Sequence, residues 1–151
     1  MRRPAVVTLM IMAGFLAACG RGDMFSPIQF AHARGRWEAH EPVAYRFRIS
    51  RSCECTGTEA VIVEVRNGVV QSRRYAANGA LVPAEGPGLY PSIDGIFDLI
   101  EQFRREGVDQ IAVRYDDELG YPRSISVDRY REAVDDEVYY SIRDFERLPA
   151  D

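Results

Sequence analysis

Tyr45, Phe47 and Ile49 alternate with Arg46 and Arg48, a pattern that predicts a strand with one buried face. Two further runs, Val61 to Arg66 and Val69 to Ala76, flank Asn67-Gly68. Both residues of that dipeptide accept positive φ, so the runs predict an antiparallel hairpin. Ile111-Val113-Tyr115 alternates up to a turn at Asp117 to Gly120, and Arg123 to Asp128 returns with Ile125 and Val127 inward. Val138, Tyr140 and Ile142 mark a last strand over about Glu137 to Arg143.

The period changes in two places. Ile93, Ile96, Phe97, Ile100 and Phe103 fall on one face at helical spacing, with Asp94, Asp98, Glu101 and Arg105 outside. Ser92 precedes this run as an N-cap, Asp94 and Arg104 suit the helix dipole, and Gly107 closes it. Earlier, Ser26-Pro27-Ile28-Gln29 predicts a helix start, because Ser caps and Pro at the first position gives up no hydrogen bond. That helix runs to about His40 and ends before Pro42, with Trp37 on its inner face. A stretch rich in Pro and Gly, Asn78 to Pro91, is a connecting loop. Neighbouring strands separated by a helix predict an α+β fold. We expect an antiparallel sheet of about six strands packed by the amphipathic helix, with a shorter N-terminal helix. The order helix, three strands, helix, three strands raises an α-β-β-β duplication, although residue-level similarity between the halves is weak.

The amino terminus follows neither period. Arg2-Arg3, then an uncharged apolar run from Ala5 to Phe15, then Leu16-Ala17-Ala18-Cys19 has the parts of a secretory signal peptide. The apolar run falls short of the roughly 20 residues of a membrane-spanning helix. Leu-Ala-Ala-Cys also resembles the lipobox of bacterial lipoproteins, which implies removal of residues 1–18 and a lipid on Cys19. Residues 19–25 are then a lipidated cysteine and flexible tether, and 26–148 a single domain. Several acyl chains hold a protein to a bilayer almost permanently. Gly20, where a retaining Asp is absent, points by analogy to the periplasmic face of the outer membrane.

Charge narrows the partners. The 151 residues carry a formal net charge of −4, and all 19 basic residues are arginine. No basic run dominates, which argues against nucleic acid. The membrane, through the N-terminal lipid, and an envelope protein are the expected partners.

Few residues suggest chemistry. Cys53-Glu54-Cys55 lies where an oxidising compartment favours a disulfide. The pair shares the inward parity of Tyr45 to Ile49, so both sulfurs meet the core if that strand continues. Two cysteines at this spacing join only where the chain turns, since extended geometry puts their Cα atoms near the upper limit of about 6.8 Å. A structural bridge is preferred; the alternative is a thiol–disulfide active pair in the periplasm. Two Cys alone do not fill a zinc site. Asp116-Asp117-Glu118 and Asp135-Asp136-Glu137 lack the ligand spacing of a calcium loop, so no metal and no cofactor is expected. His32 and His40 are the only histidines, and no arrangement of nucleophile, base and acid is present. We expect no catalysis. Tyr75, Tyr90, Tyr121, Tyr130 and Tyr139 are expected partly outside, where exposed Tyr suits a binding surface.

Taken together, several of these residues have a likeness. Trp37, Tyr45-x-Phe47, Cys53-x-Cys55, and Tyr90-Pro91-Ser92-Ile93-Asp94 with Phe97 are followed by Tyr115-Asp116-x-x-x-Gly120-Tyr121-Pro122 with Ile125 and Asp128. The set resembles an uncharacterised bacterial lipoprotein family, domain of unknown function 6174. This resemblance implies a secreted or lipid-anchored domain of one fold type and supplies no activity. Its most specific part is the segment with Tyr115, Asp116, Gly120, Tyr121 and Pro122, and these with Asp128 are taken as candidate binding residues. The expected function is a non-catalytic binding module anchored in the cell envelope.

Overall fold

The computed structural model describes residues 25–55, 58–84, 90–130, 132–133 and 136–150. Cys19 and the signal segment lie outside them, as does Asp135. The element order is α1 (Pro27–His40), β1 (Ala44–Ser52), β2 (Val61–Arg66), β3 (Val69–Tyr75), α2 (Ile93–Glu106), β4 (Gln110–Tyr115), β5 (Pro122–Asp128) and β6 (Val138–Arg147). All six strands form one sheet in the order β3-β2-β1-β6-β5-β4, antiparallel throughout. The chain is an α+β protein.

Local chemistry accounts for the element ends. Ser26 and Ser92 accept hydrogen bonds from Gln29 N–H and Gly95 N–H, and each cap contributes about 1 kcal/mol. Gly107 closes α2 at φ 70°, with its N–H returning to the Arg104 carbonyl. Asn67 and Gly68 both take positive φ and turn β2 into β3.

Both helices pack on one face of the sheet. Phe30 meets the Phe97 ring edge-on at 5.7 Å, and Trp37 Nε1 donates to Asp94 Oδ1 at 3.1 Å. Beneath them, Phe47, Ile49, Val61, Val63, Ile125 and Val127 are fully buried. An aromatic group closes one end of this layer. There Trp37, Tyr45 and Tyr121 pack around Phe145, with the Tyr121 ring stacked at 4.8 Å.

Four expectations need correction. The N-terminal helix is not the shorter one, because both helices have 14 residues. Phe25 does not belong to a free tether. Its N–H donates to the Ile111 carbonyl at 2.8 Å, and its ring packs on Phe30 and under the Arg104 guanidinium. The last strand runs four residues beyond Arg143: Asp144 takes φ 53° where the pairing with β1 shifts, so the alternation breaks and Phe145 returns to the core. Duplication also fails on symmetry. Equating β1, β2 and β3 with β4, β5 and β6 preserves their order across the sheet but reverses every strand. Only a rotation that exchanges the faces does this, yet α1 and α2 share a face.

Candidate functional site

Among the described residues, no helix lies over the opposite face of the sheet. Its outward positions carry arginines and small hydroxyl residues: Arg46, Arg48 and Ser50 on β1, Ser141 and Arg143 on β6, Ser124 and Ser126 on β5, and Arg114 on β4. The register places Arg114, Ser124, Ser141 and Ser50 in one row across four strands.

Arginines near the middle of this face are neutralised. Arg46 bonds Glu146 at 2.7 Å, and Arg48 bonds Asp144 at 3.1 Å. Towards β4 the pattern changes. Arg114 and Arg123 are exposed, and the guanidinium of neither makes a hydrogen bond or ion pair with any described residue. Arg143 donates from Nε to Ser141 Oγ at 3.0 Å and has no carboxylate partner among the described residues.

These three guanidinium groups surround a fork in the sheet. The β5–β6 ladder ends at Ser124 opposite Ser141, whereas β1 and β6 remain paired as far as Arg147. Where β5 diverges from β6 a cavity of about 580 Å³ opens, lined by Arg114, Arg123, Arg143, Ser124, Ser141 and Tyr139, with Tyr115, Tyr121, Ile142 and Asp144. Tyr139 is 43% exposed, so its ring is available at the rim. A second cavity of about 470 Å³ lies on the α1 side of β4 and shares Arg114 and Tyr115, adding His32 and Arg36.

The segment Tyr115 to Pro122 builds one wall. Asp116 Oδ1 accepts from Glu118 N–H at 3.1 Å and Leu119 N–H at 2.8 Å, which holds the turn. Gly120 sits at φ 82° against α1, where a Cβ would lie 2.3 Å from the Ala33 carbonyl oxygen. This contact requires glycine and locks the hairpin to the helix. Tyr115 stacks on Phe97, and its buried Oη has no partner among the described residues. Burial pushes the Tyr115 phenol above its ordinary range, partly opposed by Arg104. It does the same at Tyr121, where the Asp116 carboxylate adds to the effect. Of the candidate binding residues, Tyr115 and Tyr121 therefore line the cavity at the fork. Asp116, Gly120 and Pro122 serve the turn and its packing, and Asp128 pairs with Gln110 at the other end of β5.

Other sequence candidates lie elsewhere. β1 ends at Ser52, and the turn brings Cys53 and Cys55 into disulfide contact with Cα atoms 5.2 Å apart. Cys55 N–H donates to the Cys53 carbonyl, and Cys55 is exposed, away from the core. Tyr90 and Tyr121, expected partly outside, are buried; Tyr90 donates to the Glu59 carbonyl while its own carbonyl accepts from Arg73. His32 borders the second cavity, and His40 bonds the Arg36 carbonyl. Among the described residues, no group of three or more His, Cys, Asp or Glu is placed to hold a metal ion. Nothing in their geometry points to catalysis.

One carboxyl pair stands apart from the cavity. Glu41 ends α1 facing Asp94 at the start of α2, and Glu41 Oε1 is buried without a donor among the described residues. Burial first, then the neighbouring Asp94, raises the Glu41 carboxyl above its ordinary range.

The residues at the fork that sequence reasoning missed are Arg114, Arg123, Arg143, Ser124 and Ser141. The outward parity of Arg114, Arg143, Ser124 and Ser141 was available from the alternation, whereas Arg123 shares the parity of the inward Ile125 and Val127. The proximity of all five was not, because it depends on β5 lying beside β6. A family model described as a family of unknown function, DUF6174, matches residues 29–147. No curated protein and no solved structure matches significantly.

Proposed function

The chain belongs to the DUF6174 family of unknown function, and from that premise we propose that it is a lipid-anchored protein of the cell envelope that binds a partner through its helix-free sheet face. One observation carries the reading: Arg114 and Arg123 stand exposed beside a cavity, their guanidinium groups making no ion pair or hydrogen bond to any described residue. Arg46 and Arg48, farther along the same face, find carboxylates within 3.1 Å. Exposed guanidinium forks are strong donors for an incoming acceptor.

The anchor is Cys19, within the Leu-Ala-Ala-Cys motif. The domain begins at or before Phe25, which is bound to β4, so only Cys19 to Met24 can act as tether. Six residues reach at most about 20 Å. The domain then works close to the bilayer, at its periplasmic surface. No helix among the described residues is long and apolar enough to cross a membrane.

Two experiments test this reading. Mass spectrometry of the processed chain is expected to find Cys19 as the acylated first residue; an unmodified amino terminus on a freely soluble chain removes the anchor. A photo-crosslinking residue at Ser126, exposed on the same face and leaving both arginines in place, is activated in intact envelopes and is expected to capture a partner in stoichiometric yield. Recovery of bulk lipid and abundant porins alone removes the binding role.

A further inference from the structure

We propose that the fork between β5 and β6 is a binding site for a phosphoryl group, held by the guanidinium groups of Arg114, Arg123 and Arg143 above the hydroxyls of Ser124 and Ser141. The inference rests on the binding reading above and specifies the ligand.

Strand geometry sets the dimensions. Neighbouring strands lie about 4.8 Å apart, so Arg114 on β4 and Ser141 on β6 are separated by roughly 10 Å across the row. An arginine side chain extends far enough to close that distance from either side. Ser124 lies between Arg114 and Ser141, and both serines have short side chains, which leaves room above them. The cavity of about 580 Å³ exceeds a single phosphate and accommodates a phosphorylated headgroup or a pyrophosphate. Tyr139 adds an aromatic rim on the open side.

The charge pattern selects an anion. Among the described residues, Asp144 is the only carboxylate lining the cavity, and it is engaged by Arg48 at 3.1 Å. Three positive charges thus converge in a chain whose net charge is −4. Like charges held together at a surface cost stability, and a bound dianion relieves that repulsion. A tetrahedral phosphoryl group offers three oxygens, enough for several guanidinium and hydroxyl donors at once. The fork also ends the β5–β6 ladder at Ser124 and Ser141, so strand pairing between the two does not fill the space.

Calorimetry of the full lipidated chain in a nonionic detergent tests the site with two probes, inorganic pyrophosphate and monomeric dihexanoyl phosphatidic acid. Saturable binding of at least one probe is expected. Arg114→Gln with Arg123→Gln is expected to weaken it at least tenfold, about 1.4 kcal/mol. Arg46→Gln, which removes an already paired arginine from the same face, is expected to change it less than twofold. Ser124→Leu fills the floor without altering charge and is expected to abolish binding; this variant keeps the test valid if the double arginine variant unfolds. Preference for phosphatidic acid identifies a membrane headgroup as the source, and preference for pyrophosphate identifies a soluble phosphate; both support the site. Absence of binding to either probe overturns it, as does unchanged binding by the folded double variant or by Ser124→Leu. Continued capture of an envelope protein from Ser126 in that event preserves the binding module and removes only its phosphoryl ligand.

Discussion

The two faces of the sheet are built from the same strands, yet they obey different rules. On the helix side, Trp37, Tyr45, Phe47 and Phe97 are fully buried, and polar atoms there are largely bonded: Trp37 Nε1 to Asp94, and Tyr45 Oη to the Ile93 N–H. On the open side, arginines outnumber the acids that reach them, and at the fork the Arg114 and Arg123 guanidinium groups have no ion pair or hydrogen bond to a described residue. Apolar area removed from water holds the first face together. Nothing comparable requires the residues of the second. Their identity is therefore free to serve binding, and the contrast separates residues that keep the fold from residues that use it.

The strongest way to break that contrast is at Trp37, which is 0% exposed and packs against Tyr45 and Phe145. Trp37→Ala leaves a cavity and strips Asp94 of its donor. We expect a loss of about 3–5 kcal/mol, read from chemical denaturation followed by far-ultraviolet circular dichroism. Only a small loss would mean that the aromatic layer is not what joins α1 to the sheet.

Gly120→Ala comes next. The added methyl meets the Ala33 carbonyl oxygen at 2.3 Å, and φ 82° is poorly tolerated by alanine. A destabilisation of about 2 kcal/mol is expected in the same measurement. It should be accompanied by faster amide exchange at Asp116 and Gly120, whose N–H groups bond within the turn.

Glu41 tests the interface between the helices through pH. Its carboxyl is raised in the folded chain, so the protonated form is the one that the fold favours. Its contribution is present below the ordinary carboxylate range and is lost as pH rises through the elevated folded value. Glu41→Gln is therefore expected to stabilise the chain at pH 7, by about 0.5 kcal/mol after solvent screening. Near pH 4 it should make little difference. Parallel stability curves for both proteins across pH 4–7 would show that the Glu41–Asp94 contact carries no penalty.

The smallest stability effect belongs to the open face. Arg114→Gln with Arg123→Gln removes two exposed side chains with no described ion pair, so unfolding stability should change by less than about 0.5 kcal/mol. A large loss would show these arginines to be structural and would erase the distinction between the faces.

Much of the fold was readable from the chain because it depends on near neighbours. Ile93, Ile96, Phe97, Ile100 and Phe103 bury one stripe of α2 as their spacing required, with Ser92 and Gly107 at its ends. Asn67-Gly68 placed β2 against β3 for the same reason. Less was visible where the pattern stopped being regular. The bulge at Asp144 concealed the end of β6, and Phe25 looked like tether because its partner, Ile111, is far along the chain. The candidate site was half legible. Tyr115 and Tyr121 belonged to a recognisable segment, whereas Arg114, Arg123 and Arg143 looked like ordinary solvated positions.

Hydrophobic periodicity, caps and turn residues thus determined by themselves which elements form and which side of each faces inward, since those preferences act over a few residues. Only tertiary structure decided that β6 inserts between β1 and β5, that both helices cover one face, and that the β5–β6 ladder ends at Ser124 and Ser141. These are choices of pairing between distant segments, set by how the buried surfaces fit together. The placement of three arginines around one opening is their consequence.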